Sequence, residues 1–530
     1  MDKSRRKFLE FLGYTGVAFT AMPFLEACKV GEVNYKAKVG FEGLKYGELI
    51  DDVVLAEGFE YKILASFGDK ISEKDTFGMH NDYLNFMVSE KNENEGILWV
   101  NHEYFDSVLL QTNLGEKTKE KVDLERYVVG GSIVKISKDE TNKWNIVEND
   151  ALNRRLNGST KIPFLWDEEI AGAKVAEGTF QNCSGGRTPW GTILTCEENY
   201  DYMYGEVLYD ENNVASRTPG GYSWEKYYNN SPEHYGWVVE VNIQTGEAQK
   251  LVALGRFKHE CATVHSLEDG RVVIYSGDDE AGQFIYKYIS DSPRDLKNGK
   301  LYAADTINGK WLSLDINESE VLKKRFKNQT EVQIRVREAA KLMGATPQNR
   351  PEDIDIDPIT GNVLVALTNN KAVGDFHGSI LKIVEDSADK TSLTFKAETY
   401  LAGGEKNMFS SPDNLAFDPK GNLWFTTDVS GASLGVGEYK NFLSNGLYLV
   451  PRTGERAGEV ILIATAPVAA EFTGPYFHPN GKTLFLSVQH PGETSLDINN
   501  LTSHWPQGRN AIPKSSVITI SGESLDKLMK

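Results

Sequence analysis

The chain has 530 residues, 40% of them hydrophobic and 11% aromatic, which is ample material for a buried core and excludes wholesale disorder. Its 76 acidic residues outnumber 57 basic ones, giving a formal charge of −19. That field repels phosphate backbones and argues against nucleic-acid binding, whereas it suits hard cations that want carboxylate oxygens. The 48 glycines follow no G-x-y period, so a collagen-like fibre is excluded.

At the start, Ser4-Arg5-Arg6-Lys7-Phe8-Leu9 precedes an apolar stretch from Phe11 to Leu25. A basic segment followed by an apolar one of this length is an export signal, too short and too rich in Gly and Thr to span a membrane. The paired arginines resemble a bacterial twin-arginine signal. The segment closes on Leu25-Glu26-Ala27-Cys28, which resembles a lipoprotein box. Lipid on Cys28 would tether the mature protein to a membrane; a cut nearby would leave it soluble. The expectation is a signal over 1–28 and a single domain over 29–530, exported to the periplasm or the cell surface, and monomeric. Three further cysteines remain, Cys183, Cys196 and Cys261, an odd number for an exported chain. A free thiolate there needs something to hold it, and a metal would do so.

Beyond the signal, a hairpin phrase recurs: LEDGRVVIYS at 267–276, DPITGNVLVALT at 357–368, DPKGNLWFTTD at 418–428 and HPNGKTLFLSV at 478–488, with NIQTGEAQKLV at 242–252. Each joins a turn element to alternating apolar residues, which reads as strand, tight turn, strand. The last three of the first four begin about 60 residues apart, a spacing used by repeat architectures. Four short strands per unit, repeated radially, make a β-propeller. The chain is therefore expected to be all-β, a six-bladed propeller with long inserted loops and short helices. Glu318 to Arg337 and Leu443 to Arg456 hold no clear apolar stripe. A β-sandwich array is the competing architecture, but no linkers separate the units.

Propeller loops converge at one end of a central channel, so chemically loaded segments matter together. They are Met79 to Tyr83, Val100 to Tyr104, Gly178 to Gly186, Thr188 to Asn199, Gly255 to Glu260, Ser276 to Glu280, Asn349 to Asp353, Ser410 to Asn414, Glu471 to Pro475 and Gln489 to Glu493. Thr192 to Cys196 reads as a strand, with Cys196 and Glu198 on one face and Glu197 on the other. Cys196 reads as a buried small hydrophobe. Cys183, in a polar Gly-rich loop beside an amide, fits a metal ligand better. His259 is expected to donate to nearby backbone, which leaves Glu260 as the functional member of its pair.

Together these segments resemble the PhoX family of bacterial alkaline phosphatases. The phrases that carry the resemblance are N-C-x-G-G-x-T-P-W-G-T-x-L-T-C-E-E-N, G-R-F-x-H-E, R-P-E-D, S-P-D-x-L-x-F-D-P-x-G-x-L-W and T-G-P-x-F-x-P-x-G-x-T-L-F, all within residues 80 to 493. The resemblance implies a six-bladed propeller that hydrolyses phosphate monoesters at a central site holding Fe³⁺ and Ca²⁺. By matching motifs, Cys183 would be the thiolate ligand to iron, Glu260 and Glu352 metal carboxylates, and Arg350 the grip on the substrate phosphate. The carboxylate shell is extended to Glu197 and Glu198, and further to Asn101, Glu103 and Glu471.

These residue types suit that chemistry. Monoester hydrolysis needs charge neutralised on the phosphoryl oxygens and an in-line nucleophile, and clustered cations supply both. Carboxylates favour Ca²⁺, a thiolate favours iron, and arginine offers phosphate a planar fork. If Arg350-Pro351-Glu352 is extended, its two charged side chains share a side. Two other readings stand beside this one. A calcium-dependent propeller hydrolase of lactones or other esters would have no need of Cys183, and a non-catalytic surface propeller would need no metal.

Overall fold

The Asp-Pro and His-Pro phrases stand at tight turns for a local reason. Asp357 and Asp418 each turn a side-chain oxygen back onto backbone N–H groups just ahead, Ile359 and Thr360 in one case and Lys420 and Asn422 in the other. This carboxylate clasp closes the turn and sends the chain back antiparallel. In the computed structural model, which describes residues 41–530, the strands so joined are Pro351–Ile356 with Val363–Leu367 and Pro412–Phe417 with Leu423–Thr427. The His478-Pro479 turn joins Glu471–Phe477 to Leu484–Gln489. The phrase at 242–252 does a different job, joining the third and outer strands of its sheet.

Six antiparallel sheets of four or five strands form the blades, each running from an inner strand outward, beside two small two-stranded sheets. Their inner strands are Asn81–Ser89, Asn182–Arg187, Thr263–Ser266, Pro351–Ile356, Pro412–Phe417 and Glu471–Phe477. Each inner strand packs against the next and the sixth against the first, so the ring closes around a channel. This is the six-bladed propeller expected from the hairpin spacing. The sixth blade is completed by Glu60–Ser66, from the beginning of the chain, paired with Ser516–Ser521 from its end. The ring is thus fastened by the two ends of one polypeptide.

The cores lie between neighbouring blades. Trp424, Phe472, Leu486 and Ile518 fill one such layer, and Cys261 joins Tyr275, Ile354 and Val365 in another. Two long connections leave the second strands of the first and second blades and pack on each other through Phe105, Tyr204, Trp224 and Tyr235, with Phe180, from the entry to the second blade, in the same cluster. A third, between the third and fourth blades, carries the helices Glu320–Arg325, Gln329–Ile334 and Val336–Met343. Ser319 and Asn328 cap the first two through their side chains. These restarts break the 3.6-residue period, which is why no single stripe is visible over Glu318 to Arg337. Leu443 to Arg456 contains the strand Gly446–Val450. Among the described residues, no helix is long and apolar enough to cross a membrane. The expected signal and lipobox, residues 1–28, lie outside the described residues.

Candidate metal centre

The inner strands begin with a shared irregularity. In the first, second, fourth and fifth blades the register slips after the first paired residue, Asn81, Asn182, Pro351 and Pro412. The residue before each of these is left-handed: His80 at φ 44°, Gln181 at 54°, Arg350 at 55° and Ser411 at 53°. Such backbone is costly for non-glycine residues and marks a constrained site. The left-handed residue and the bulge re-aim the next side chain into the channel. Those side chains are Asp82, Cys183, Glu352 and Asp413. In the third blade Glu260 holds the matching place, just after His259, which bridges Asp278. In the sixth blade the slip falls two residues later, after Thr473, and the residue it frees is Gly474, at φ 54°. A Cβ there would stand 2.6 Å from the Asp82 carbonyl, so no side chain fits.

A second ring is set by residues at the exits of the second strands. Glu103 and Glu198 directly follow strands ending at His102 and Glu197, while Asp279 comes two residues beyond Gly277. Asp428 and His490 follow Thr427 and Gln489. In the fourth blade the exit carries neutral Thr368 and Asn369.

These positions converge. Donor atoms of Asp82, Glu103 and Cys183 lie within 4.8 Å of one another, as do those of Cys183, Glu198 and Glu260, and those of Glu260, Glu352 and Asp413. Cys183 and Glu260 are each shared by two groups, so seven donors from five blades form one continuous arc. Glu471 stands beside the arc, with His490 Nε2 3.0 Å from one of its oxygens. Gln489 donates to Asp82 and Glu103 at 2.8 and 3.0 Å, and the Thr368 hydroxyl lies 2.9 Å from Glu352. At one side sits Arg350, whose guanidinium grips Asp279 through two bonds of 2.9 and 2.7 Å and lies 2.9 Å from Glu352.

The electrostatics follow from this crowding. Burial, then repulsion from neighbouring carboxylates, pushes Asp82, Glu198, Glu260, Glu352, Asp413 and Glu471 well above the usual carboxylate range. Burial raises Glu103 to about 7. The Cys183 thiol is pushed up by burial first and then by Asp82, Glu260, Glu103 and Glu198. Both oxygens of Glu260, Oδ1 of Asp82 and Oε2 of Glu471 are buried without a hydrogen-bond partner. Buried polar atoms are rarely left so, because the cost is large. Hard oxygens in this number fit calcium, and one thiolate among them fits iron, so the donor set suits bound cations.

Of the residues expected from sequence, Cys183, Glu198, Glu260, Glu352 and Glu103 meet in the arc, with Glu471 adjoining and Arg350 at its edge. Glu197 and Asn101 do not serve it. The Glu197 carboxylate is consumed on the opposite strand face by Lys250 at 2.6 Å and the backbone N–H groups of Gly236 and Trp237. Asn101 donates to the carbonyls of Cys183 and Ser184, and its oxygen accepts from Trp99 and Thr195. It braces the Cys183 turn and has no free oxygen lone pair aimed at the arc. Arg350 and Glu352 do share a side, but through a left-handed Arg350 rather than an extended stretch. Cys196 is buried among apolar residues, and His259 places a ring nitrogen 2.8 Å from the Gly255 carbonyl. Sequence reasoning gave Asp82, Asp413 and Asp279 no role beyond membership of loaded segments, and Asp428 none beyond the end of a hairpin phrase. One signal was available: Glu352 and Asp413 both stand five residues ahead of an Asp-Pro turn, at one register of the repeat.

A closed propeller whose channel mouth gathers buried carboxylates, one thiol and one arginine defines a class of metal-dependent hydrolytic enzyme. A family model described as alkaline phosphatase PhoX matches residues 39–492, and the chain belongs to that family. Pseudomonas fluorescens PhoX, solved in complex with vanadate, a transition state analogue, is similar with a TM-score of 0.81 and 28% identity, over 92% of this chain and 99% of that one. A protein of unknown function from Dyadobacter fermentans aligns at 10% identity with a TM-score of 0.38, over 87% of this chain and 99% of that one. No curated protein sequence matches. The chain is accordingly a phosphatase that hydrolyses phosphate monoesters at a metal site, and the lactonase and binding-module readings give way to this one.

The crowded arc predicts an unusual pH response. A carboxyl that keeps its proton when folded and loses it when unfolded removes stability as pH rises from its ordinary value through its folded one. Asp82, Glu198, Glu260, Glu352, Asp413 and Glu471 act in this sense, as does Asp355, raised by burial to about 8. Buried His80, His102 and His259, depressed by burial, oppose them only below their ordinary range. Metal-free protein in chelator should therefore lose melting temperature between about pH 7 and about pH 9, and metal-loaded protein should lose far less, by calorimetry. Glu197→Gln tests the opposite role: stranding buried Lys250 should cost about 3–5 kcal/mol in urea unfolding, with bound metal per folded molecule unchanged.

Proposed function

We propose that phosphate monoesters are hydrolysed at the arc, with the phosphoryl group held between it and Arg350. The observation that carries this reading is the juxtaposition of seven convergent anionic donors with one arginine at their edge. Fe³⁺ is assigned to the side bearing Cys183, with Glu198 and Glu260, and Ca²⁺ to the all-oxygen side of Glu260, Glu352 and Asp413. When bound, such cations neutralise phosphoryl charge and supply an activated water-derived nucleophile.

The chain's own residues do the rest. Arg350 presents the edge of its planar fork that Asp279 does not hold, with Nη1 left to donate to a phosphoryl oxygen. Asp279 holds that fork from behind, leaving less rotamer freedom to lose when substrate arrives. Glu103 and Asp82 are held in place by Gln489, and Glu352 by Thr368, so the donors do not need to reorganise during turnover. Tyr104, half-buried next to Glu103 and packed against the His80 ring, helps exclude bulk water.

Hydrolysis of p-nitrophenyl phosphate by metal-loaded protein tests the assignment. Cys183→Ala should lower bound iron and activity together, and Arg350→Ala should lower kcat/KM by about 10²–10³-fold with metal retained. Unchanged rates in both variants would remove the arc as the site.

We also propose export by the twin-arginine route and lipid attachment at Cys28, on the S-R-R-x-F-L phrase and the cysteine that ends the apolar stretch. Cys28→Ala should shift the protein from the membrane to the soluble fraction in cell fractionation; retention in the membrane would refute the tether.

A further inference from the structure

The channel rim carries a charge network that touches neither the donor arc nor the phosphoryl position. Arg337, on the helix Val336–Met343, reaches across from the connection between the third and fourth blades. Its Nε lies 2.8 Å from Asp278 Oδ2 and one terminal nitrogen contacts Asp278 Oδ1, while the other lies 2.7 Å from Glu280 Oε2. Asp278 is fully buried and its backbone bridges His259, next to Glu260. Glu280 also faces Lys258 at 3.7 Å, and Lys258 faces Asp201 at 3.4 Å. Between the two carboxylates that Arg337 clamps stands Asp279, whose own oxygens receive both arms of the Arg350 fork.

We propose that Arg337 is a positioning residue for phosphoryl recognition: by pinning both neighbours of Asp279, it fixes the carboxylate that orients Arg350. The proposal rests on the reading of Arg350 as the phosphate fork. The geometry favours this role over simple attachment of the helix. Arg337 spends its bonds on the two residues flanking Asp279, one on each side, so the loop is held against rotation about its centre. Arg350 needs that support, because its backbone is left-handed and its long side chain has many rotamers to choose from. A lysine would retain charge at the rim but not the two-sided fork.

The test uses metal-loaded full-length protein. Wild type, Arg337→Ala, Arg337→Lys, Arg350→Ala and the Arg337→Ala/Arg350→Ala double variant are compared for kcat, KM with p-nitrophenyl phosphate, inhibition by inorganic phosphate, and metal content. Arg337→Ala should raise KM and the phosphate inhibition constant about tenfold, with kcat changed less and metal content unchanged. Arg337→Lys, the safer variant for folding, should show the same split at about threefold. In the double variant the Arg337 change should add nothing to the loss already caused by Arg350→Ala, the mark of coupled residues. Penalties that multiply, loss of metal in either Arg337 variant, or unchanged phosphate inhibition in both would overturn the proposal. Arg350→Ala with wild-type phosphate inhibition would instead overturn the reading of Arg350 on which it rests.

Discussion

Seven anionic donors that share one buried arc repel each other, and everything about this end of the propeller answers that repulsion. Left to itself, such a cluster would spread toward solvent or hold its protons. The ring does not let it spread. The bulge residues of the first, second, fourth and fifth blades are fixed by backbone rather than by side-chain choice, through a left-handed residue, a register slip, and inner strands that touch on both sides. Gly185 and Gly186 show how tight that contact is: a Cβ on either would meet a backbone carbonyl, of Leu194 or of Ala262 in the next blade. The thiol of Cys183 therefore stays in the arc because the strand behind it has nowhere to move.

The ring is six-fold in backbone and unequal in chemistry. Five blades place a ligand-type residue at the bulge and the sixth places Gly474; the exits run from Glu103 and Glu198 through Asp279 to neutral Thr368 and Asn369. Negative charge without a protein partner gathers around Cys183 and Glu260. On the other side Arg350 answers Asp279, Glu352 and, at 3.9 Å, Asp428. One half is thus built for cations and the other for an anion, and a phosphoryl group needs both at once.

Much of the architecture was legible because hairpins are local. Asp-Pro and Asp-Gly turns with alternating apolar residues announce themselves within a dozen positions, so blade type and spacing could be read directly. The site was legible in part. Cys183 stood out for its polar, Gly-rich loop, and Glu260 and Glu352 through motif resemblance. Asp82 and Asp413 were flagged only as members of loaded segments, since nothing in a short window tells a channel carboxylate from a solvated one. What separates them is the bulge, a feature of pairing between strands. Asn101 misled for the same reason: its neighbours His102 and Glu103 mark a strand exit, but three of its four bonds are to residues of the second blade, remote in sequence.

Glu197 and Glu198 make the physical rule plain. They are adjacent, chemically identical and both buried, yet strand alternation sends them to opposite faces. Glu197 meets Lys250, and the pair neutralises itself within the second blade. Glu198 faces the arc, where burial first and then the charges of Asp279, Glu103 and Glu352 hold its proton on. A buried carboxylate with its own protein cation is structural material; one surrounded by others of its kind is held for a cation that the chain does not supply. Arg350 marks the limit of that rule, because it is a protein cation engaged by carboxylates and still 27% exposed, so its charge is shared with the channel rather than used up. An arginine in that state has donors left for a phosphoryl oxygen, and the carboxylates behind it keep those donors pointed outward.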